Sequence, residues 1–496
     1  MGVFRRLPIA AMLLIAIVPY TAWADFRASY PEWHAHRAAL VAWCGLLLCA
    51  LVLQRLSVSP IKAAVLLTFP ILGVLATVVS PVVMLVTLGA ASLAAVIDRR
   101  RAYENTHLAL IVMGASLLGG AVMPLVQVSA FEREVMATTP DTPLSWYNAD
   151  IVLKQTPSIV HIVLDGYGST QTLRSIYAHD TRPFFAELEE RGFIVIEDAV
   201  SPFSQTLPTM ASVMSGAFVD MASGNGDPTL LRLNLGHTIR NGVVPSVLQN
   251  AGYTFARSES GYSFLDFDKA EIVPKRSISM SLLDAYLLRD LGNFFGTVNN
   301  GALRAALTPG IVDDLPQPFF YYQHLIAPHP PFSIAADGSF RETDDMSFND
   351  GMAGATDEKR ADYVEGYREK AQFIERSVIQ QLDALPKGPM IVVIHGDHGP
   401  GAFHDYNAAD NTCMSERLRT FVAVYSDIPE ITETLQAAPD GGFSTVNIYR
   451  AVFAGLSGND ISLVPAKAIY LPYSDPSTTV PVSAAELNSS CVPQPT

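Results

Sequence analysis

Charged residues are scarce in this chain, and the scarcity is uneven. Of the 496 residues only 16% are charged, 49% are hydrophobic, and the mean hydropathy is +0.24. This composition excludes an ordinary soluble protein of this length. Charge is sparse before about residue 130 and frequent after it. The sequence therefore predicts a membrane module over residues 1–130, followed by a water-soluble domain.

Positive charge is also in deficit, since 33 Lys and Arg face 48 Asp and Glu, for a net charge of −15. Most of the acidic excess follows residue 130, which argues against nucleic acid as a partner. Internal repeats and heptads are lacking as well, so nothing in the sequence indicates a solenoid or a coiled coil.

Long apolar runs are abundant before residue 130. A helix needs about 20 apolar residues to cross a bilayer, and runs near or above this length occupy residues 7–24, 38–54, 63–97 and 108–128. The third run suits two short spans broken near Ser80-Pro81, which gives about five spans. With five spans the basic residues at 5–6, 55, 62 and 99–101 fall on one side. The positive-inside rule then places the amino terminus in the cytoplasm and everything after residue 130 outside.

The first run has an alternative interpretation. It also shows the charged, apolar and A-x-A regions of a cleavable signal peptide. Cleavage after Ala24 would leave four spans, and the carboxy-terminal domain would still be exported.

Cysteine is rare, with four residues in the whole chain. Cys44 and Cys49 fall in the second predicted span, where we interpret them as apolar fillers. Cys413 and Cys491 form the sole pair in the exported part, where oxidising conditions permit a disulfide. We therefore predict this bridge, with two free thiols as the alternative.

The exported part alternates between strand and helix patterns. Residues 131–156 are polar and Pro-bearing and indicate a linker, which leads into a folded domain over residues 157–470 and a tail over residues 471–496. Strand patterns such as SIVHIVLDG and MIVVIHGDHG alternate with helical ones such as TRPFFAELEERG and residues 357–385. Alternation of this kind predicts a mostly parallel sheet with helices on both faces. Ligands gather at the carboxyl ends of such strands, where Asp165, His329, Asp397 and His398 fall.

Taken singly, these residues are ambiguous. Asp165 could be a turn former before glycine, and His329, in the loop APHPPF, could be structural. The pair Asp397-His398 offers a carboxylate oxygen and an imidazole to a divalent cation such as Zn or Mn. In FSQTLPTMASVMSG, the hydroxyl of Thr206 precedes an apolar helix and could be either a helix cap or a nucleophile.

The order of these motifs resembles the alkaline phosphatase superfamily, especially the branch of sulfatases, phosphoethanolamine transferases and lipoteichoic acid synthases. The resemblance spans roughly residues 157–460 and implies an α/β/α sandwich. It identifies Thr206 as the nucleophile, because Pro208, Ser212 and Gly216 follow at the family spacing, which Ser204 would not satisfy. It also implies one divalent metal ion, Zn or Mn, held by Asp165, Thr206, Asp397 and His398, and a substrate contact for His329.

Departures from the family pattern narrow the chemistry. Sulfatases of this superfamily convert a Cys or Ser to formylglycine and carry an Arg four residues later, whereas this chain has Thr206 and Met210. We therefore expect phosphoryl chemistry rather than sulfate ester hydrolysis. No familiar D-x-x-x-H spacing indicates a second metal, so we assign His324 and His404 to substrate contacts, although these two residues and Asp405 could instead hold a second ion.

The membrane module completes the prediction. The layout resembles enzymes that take a head group from a phospholipid and transfer it to an envelope glycan or lipid, in the bacterial inner membrane with the catalytic domain on the periplasmic side. We expect a membrane-anchored transferase acting through a phospho-threonine intermediate. The alternatives are a sulfatase-like hydrolase or phosphodiesterase using the same site, and an inactive scaffold relative.

Overall fold

A computed structural model describes residues 151–491 except 225, 259, 261, 268–269, 273–300, 344–347, 438 and 440, together with isolated positions before residue 112. The predicted membrane module therefore lies almost entirely outside the described residues. Within the part of the chain that is described, no helix combines the length and the apolar composition needed to cross a membrane. The elements named below belong to one unit, Val135–Arg276 with Leu291–Thr496.

Runs of apolar, β-branched and aromatic residues form the strands, as their side chains suit a pleated, buried surface. In chain order the strands are β1 (Ser158–Leu164), β2 (Ile194–Val200), β3 (Thr254–Arg257), β4 (Glu271–Ile272), β5 (Phe319–Leu325), β6 (Met390–Gly396), β7 (Arg419–Ser426), β8 (Ala468–Tyr470) and β9 (Val480–Val482). Strands β1 to β7 form one sheet in the order β2-β7-β6-β1-β5-β3-β4, and β8 pairs with β9.

The α-helices alternate with these strands through most of the chain. They are α1 (Thr170–Tyr177), α2 (Arg182–Glu190), α3 (Thr206–Ser215), α4 (Pro228–Asn241), α5 (Val243–Asn250), α6 (Gly301–Ala306), α7 (Asp357–Asp383), α8 (Met414–Leu418), α9 (Pro429–Gln436), α10 (Ile448–Ser457) and α11 (Ala484–Leu487). Just after α2, Gly192 adopts the left-handed conformation with φ +86°, which glycine allows without strain.

Parallel pairing dominates the sheet, as predicted. Strands β6, β1, β5, β3 and β4 pair in parallel, whereas β7 runs antiparallel to both β6 and β2. A parallel connection needs a crossover of a dozen or more residues, usually a helix packed on the sheet. Between β6 and β7 the described chain forms only a short 3₁₀ turn and the five-residue helix α8. The chain therefore enters β7 at the same end of the sheet at which it leaves β6.

The two faces of the sheet bury separate hydrophobic cores. Along β1, Ile159 and Val163 point to one core, which α3, α4, α5, α9 and α10 cover. The alternate residues Val160, Ile162 and Leu164 point to the other core, which α1, α2 and α7 cover. Since a strand with both faces covered is mostly apolar, this packing explains why β1 is apolar at every position except Ser158 and His161. The predicted α/β/α sandwich is confirmed.

The predicted disulfide is also confirmed. Cys413 and Cys491 are bridged, with their Cα atoms 5.6 Å apart and a sequence separation of 78. Cys413 is in addition the N-cap of α8, where its sulfur accepts a hydrogen bond from the Glu416 N–H at 3.3 Å. The bridge thus ties the start of α8 to the segment that follows α11.

Candidate active site

The predicted metal ligands come together at the carboxyl ends of two neighbouring strands. Asp165 directly follows β1, and Asp397 and His398 directly follow β6. Because Leu164 pairs with Gly396 in parallel register, the residues after both strands leave the sheet side by side. Ligand atoms of Asp165, Asp397 and His398 all lie within 4.8 Å of one another, and all three side chains are buried.

Backbone amides fix one oxygen of Asp397. Its Oδ1 accepts hydrogen bonds from the N–H groups of Gly166 and His398, both at 2.9 Å, which leaves Oδ2 facing the imidazole of His398 at 3.4 Å. The preceding turn has no room for a side chain at Gly396, because a Cβ atom there would lie 2.4 Å from the carbonyl oxygen of Tyr167. Glycine therefore allows the two strand ends to approach closely.

The ring of His398 is oriented by its own loop. Its Nδ1 lies 2.9 Å from the carbonyl oxygen of Gly399 and must carry the hydrogen, so the lone pair is on Nε2. Nε2 faces the cluster, 3.8 Å from Oδ1 of Asp165. Burial, followed by the charge of Arg417, lowers the pKa of His398 and keeps the imidazole neutral. A neutral imidazole is the form that binds metal ions.

Two carboxylate oxygens in the cluster have no partner. Oδ1 of Asp165 and Oδ2 of Asp397 are buried and find no hydrogen-bond donor among the described residues. Burial raises the pKa of Asp165, but the neighbouring histidines His329, His324 and His398 outweigh it and hold that pKa below its usual range. Unpaired buried carboxylates are costly, and a divalent cation would satisfy both. The donor set of two carboxylates, an imidazole and a hydroxyl fits Zn or Mn.

Thr206 is the first residue of α3, and its hydroxyl does not cap the helix. Gln205 occupies the N-cap position in an extended conformation and makes no side-chain capping bond. Oγ1 of Thr206 instead lies 3.2 Å from Nε2 of His398. The hydroxyl of Ser204 is used elsewhere, because it accepts the N–H of Leu471 at 3.0 Å and is fully buried.

The three other predicted histidines take different positions. Nε2 of His324 lies 3.2 Å from Oδ2 of Asp165, and its Nδ1 lies 3.2 Å from the hydroxyl of Tyr322. This arrangement orients the free oxygen of Asp165 towards the cluster. His404 is buried, and neither ring nitrogen has a hydrogen-bond partner among the described residues. Burial, followed by the charge of Arg417, lowers the pKa of His404 to about 3.

His329 lies in the loop after β5, beside Asp165, the first of the predicted metal ligands. Its backbone N–H donates to the carbonyl of Asp165 at 3.0 Å, and its Nε2 lies 3.5 Å from Oδ2 of Asp350. Burial lowers the pKa of His329, but the charges of Asp165 and Asp350 outweigh it and raise the pKa to about 9. At neutral pH His329 therefore carries a proton and a positive charge.

Three buried charged residues around the site were not predicted from the sequence: Asp350, Lys370 and Arg417. Asp350 pairs with Arg417 and His329. Lys370 donates to backbone carbonyls of the His329 loop, including those of Ile326 at 3.0 Å and His329. No motif marks these residues, and a charge inside an otherwise amphipathic helix such as α7 normally indicates a solvent-facing position.

Comparison with known proteins is consistent with this fold. A family model described as Sulfatase matches residues 157–434, which is more than half of the chain. No protein of curated function matches the sequence.

Among solved structures, the chain is similar to the C-terminal periplasmic domain of EptC from Escherichia coli in complex with Zn, at 13% identity over 61% of this chain and 83% of that chain, with a TM-score of 0.37. It is similar to the integral membrane protein lipooligosaccharide phosphoethanolamine transferase A of Neisseria meningitidis, at 14% identity over 80% and 69%, with a TM-score of 0.38. A candidate sulfatase of Bacteroides thetaiotaomicron gives 13% identity, coverages of 64% and 78%, and a TM-score of 0.37.

Similarity at this level carries no information on the substrate. The family match does confirm the prediction of an alkaline phosphatase superfamily enzyme with phosphotransferase or hydrolase chemistry. The chain belongs to the Sulfatase family.

Proposed function

We propose that this protein is a membrane-anchored, metal-dependent transferase that moves a phospholipid-derived phospho-head group, of phosphoethanolamine or phosphoglycerol type, to an envelope glycan or lipid. One observation carries the proposal: Oγ1 of Thr206 lies 3.2 Å from Nε2 of His398, beside a buried cluster with two unpaired carboxylate oxygens. A hydroxyl at such a place, on a helix start that it does not cap, is positioned as a nucleophile.

Asp165, Thr206, Asp397 and His398 would hold the divalent cation. When bound, the cation would lower the pKa of the Thr206 hydroxyl and polarise an oxygen of the phosphoryl group. The chain itself adds the amino end of α3, whose free N–H groups and positive potential favour an anionic phosphoryl group.

Transfer would proceed in two half-reactions on Thr206. In the first, Thr206 loses its proton to water, Oγ1 forms a bond to phosphorus, and the bond between phosphorus and the lipid glycerol oxygen breaks. His329, protonated at neutral pH, supplies the proton that this leaving oxygen takes up. In the second, a hydroxyl of the acceptor gives its proton to His329 and attacks phosphorus, the bond to Oγ1 breaks, and Oγ1 regains a proton from water.

The Sulfatase family match supports one alternative, a hydrolase in which water replaces the acceptor. The discriminating experiment uses the full chain in detergent, with Zn or Mn, a mixture of phosphatidylethanolamine and phosphatidylglycerol, and fluorescent lipid tails. We expect diacylglycerol release that an envelope glycolipid fraction accelerates, and an adduct with the mass of a phospho-head group on the peptide containing Thr206.

The control is Thr206→Ala, which should give neither diacylglycerol nor adduct. Equal release with and without acceptor would favour the hydrolase. A metal-loaded wild-type protein that releases nothing from any lipid would favour the scaffold alternative and contradict the proposal.

A further inference from the structure

Arg417 is a buried arginine next to the cluster, with only 2% of its surface exposed. A guanidinium carries five N–H groups, and burying it is costly unless they find acceptors. Nε donates to the carbonyl of Ser204 at 2.8 Å, and Nη1 donates to Oδ2 of Asp350 and to the carbonyl of Gly399. These contacts hold the guanidinium between the loop before Thr206 and the loop after His398.

The remaining nitrogen, Nη2, points into the site. Among the described residues its acceptor is Nε2 of His398, at 3.4 Å. The hydroxyl of Thr206 lies 3.2 Å from the same atom. Since the Nδ1 hydrogen of His398 is directed to a carbonyl, Nε2 has a single lone pair. That lone pair can serve Arg417, Thr206 or a cation, but only one of them at a time.

A cation bound to His398 would therefore leave both N–H groups of the buried Nη2 without an acceptor among the described residues. A buried charged donor without a partner is strongly destabilising. An anionic oxygen on the group attacked by Thr206 would satisfy it, because Nη2 and Oγ1 of Thr206 both lie within 3.4 Å of one atom. We propose that Nη2 of Arg417 binds a non-bridging oxygen of the substrate's tetrahedral phosphoryl group.

That the oxyanion is a phosphoryl oxygen rests on the proposed function. The new element is that a residue outside the predicted metal ligands binds it. Arg417 needs no rearrangement for this task, because its other nitrogens are already fixed by Ser204, Asp350 and Gly399. A preorganised charged donor is the arrangement that stabilises charge on a transferred phosphoryl group.

The test measures binding of inorganic phosphate to the full chain loaded with zinc, by titration calorimetry. Lysine retains the charge but lacks the planar fork, so Arg417→Lys should weaken phosphate binding by about tenfold or more. Its zinc content, measured by elemental analysis, should equal that of the wild type, because Arg417 is not a ligand.

Arg419→Lys is the matched control. Arg419 lies two residues further on, in β7, and pairs with Asp198 at 3.1 Å and with Asn488 at 2.8 Å. This variant should bind phosphate as the wild type does.

Unchanged phosphate affinity in a folded Arg417→Lys would overturn the inference. If that variant fails to fold, a crystal structure of the wild-type protein with zinc and phosphate decides, and a phosphate that makes no contact with Nη2 overturns it. Neither result would contradict the proposed function. That function is contradicted by a different result, the absence of both head-group release and an adduct on Thr206.

Discussion

Two hydroxyls lie two residues apart at the start of α3, and their surroundings differ. That of Thr206 faces the imidazole of His398, whereas that of Ser204 is buried and accepts the N–H of Leu471. Under the proposed function, a side-chain hydroxyl thus serves chemistry at Thr206 and folding at Ser204. The difference can be measured, because activity and stability should separate.

Thr206→Ala should lower kcat by on the order of 10³-fold or more, since the nucleophile is lost, with little change in melting temperature. Thr206→Ser should retain part of the activity, because the hydroxyl survives although the methyl group that restricts its rotamers is gone. Ser204→Ala should show the reverse: it leaves a buried N–H unpaired and lowers the free energy of unfolding by about 1–3 kcal/mol, while kcat in the folded protein is unchanged. Full activity in Thr206→Ala would show that its hydroxyl takes no part in the chemistry.

At the scale of the element, α7 supports the active-site loop from behind. Lys370, in the middle of this helix, is buried and donates to the carbonyls of Ile326, His329 and Pro331. The ammonium group of Lys370 thus donates to three loop carbonyls, which would otherwise be buried without a hydrogen-bond partner. The position of His329 depends on this contact.

Lys370→Met should therefore lower kcat, because the proton donor His329 is displaced, should raise KM for the lipid donor, and should destabilise the protein by about 3 kcal/mol. Lys370→Arg should recover part of the KM effect, because it restores a charged donor. Lys359→Met, on the exposed side of the same helix, is the control and should leave all three quantities unchanged. A Lys370→Met protein with the wild-type KM would mean that the loop holds its shape without the ammonium.

The strands and the cluster of Asp165, Asp397 and His398 could be predicted because their signals are local. The apolar run of β1 followed by Asp165, and that of β6 followed by Asp397, are continuous in sequence. The reversal of β7 was not predicted, because strand direction depends on the path of the connection rather than on the composition of the strand. Arg417 was not predicted for a similar reason: its partners Ser204 and Asp350 are distant in sequence, and only the folded chain brings them together.

At the scale of the whole molecule, the proposal depends on the catalytic domain and the lipid donor being on the same side of the membrane. The disulfide between Cys413 and Cys491 is consistent with an oxidising compartment. The distribution of Arg and Lys in the first 130 residues predicts the same orientation.

Reporter fusions test this topology directly. A fusion after Arg101 should be active as a cytoplasmic reporter, and a fusion after residue 140 should be active as an exported one. The charge bias of the flanks provides the physical reason. A cytoplasmic reporter signal after residue 140 would rule out the lipid donor on the outer face and would leave the disulfide without an oxidising environment.

The reversed strand β7 has a consequence for how this enzyme could diversify. Because β7 is antiparallel to β6, the connection between them begins and ends at the same end of the two strands. This connection begins with Asp397 and His398, and Arg417 lies near its end. Its middle, which includes His404, can therefore change in length without shifting the register of any strand. The bridge at Cys413 anchors the closing end. Under the proposed function, replacing this one segment would change the acceptor while Asp397, His398 and Arg417 at its two ends stay in place.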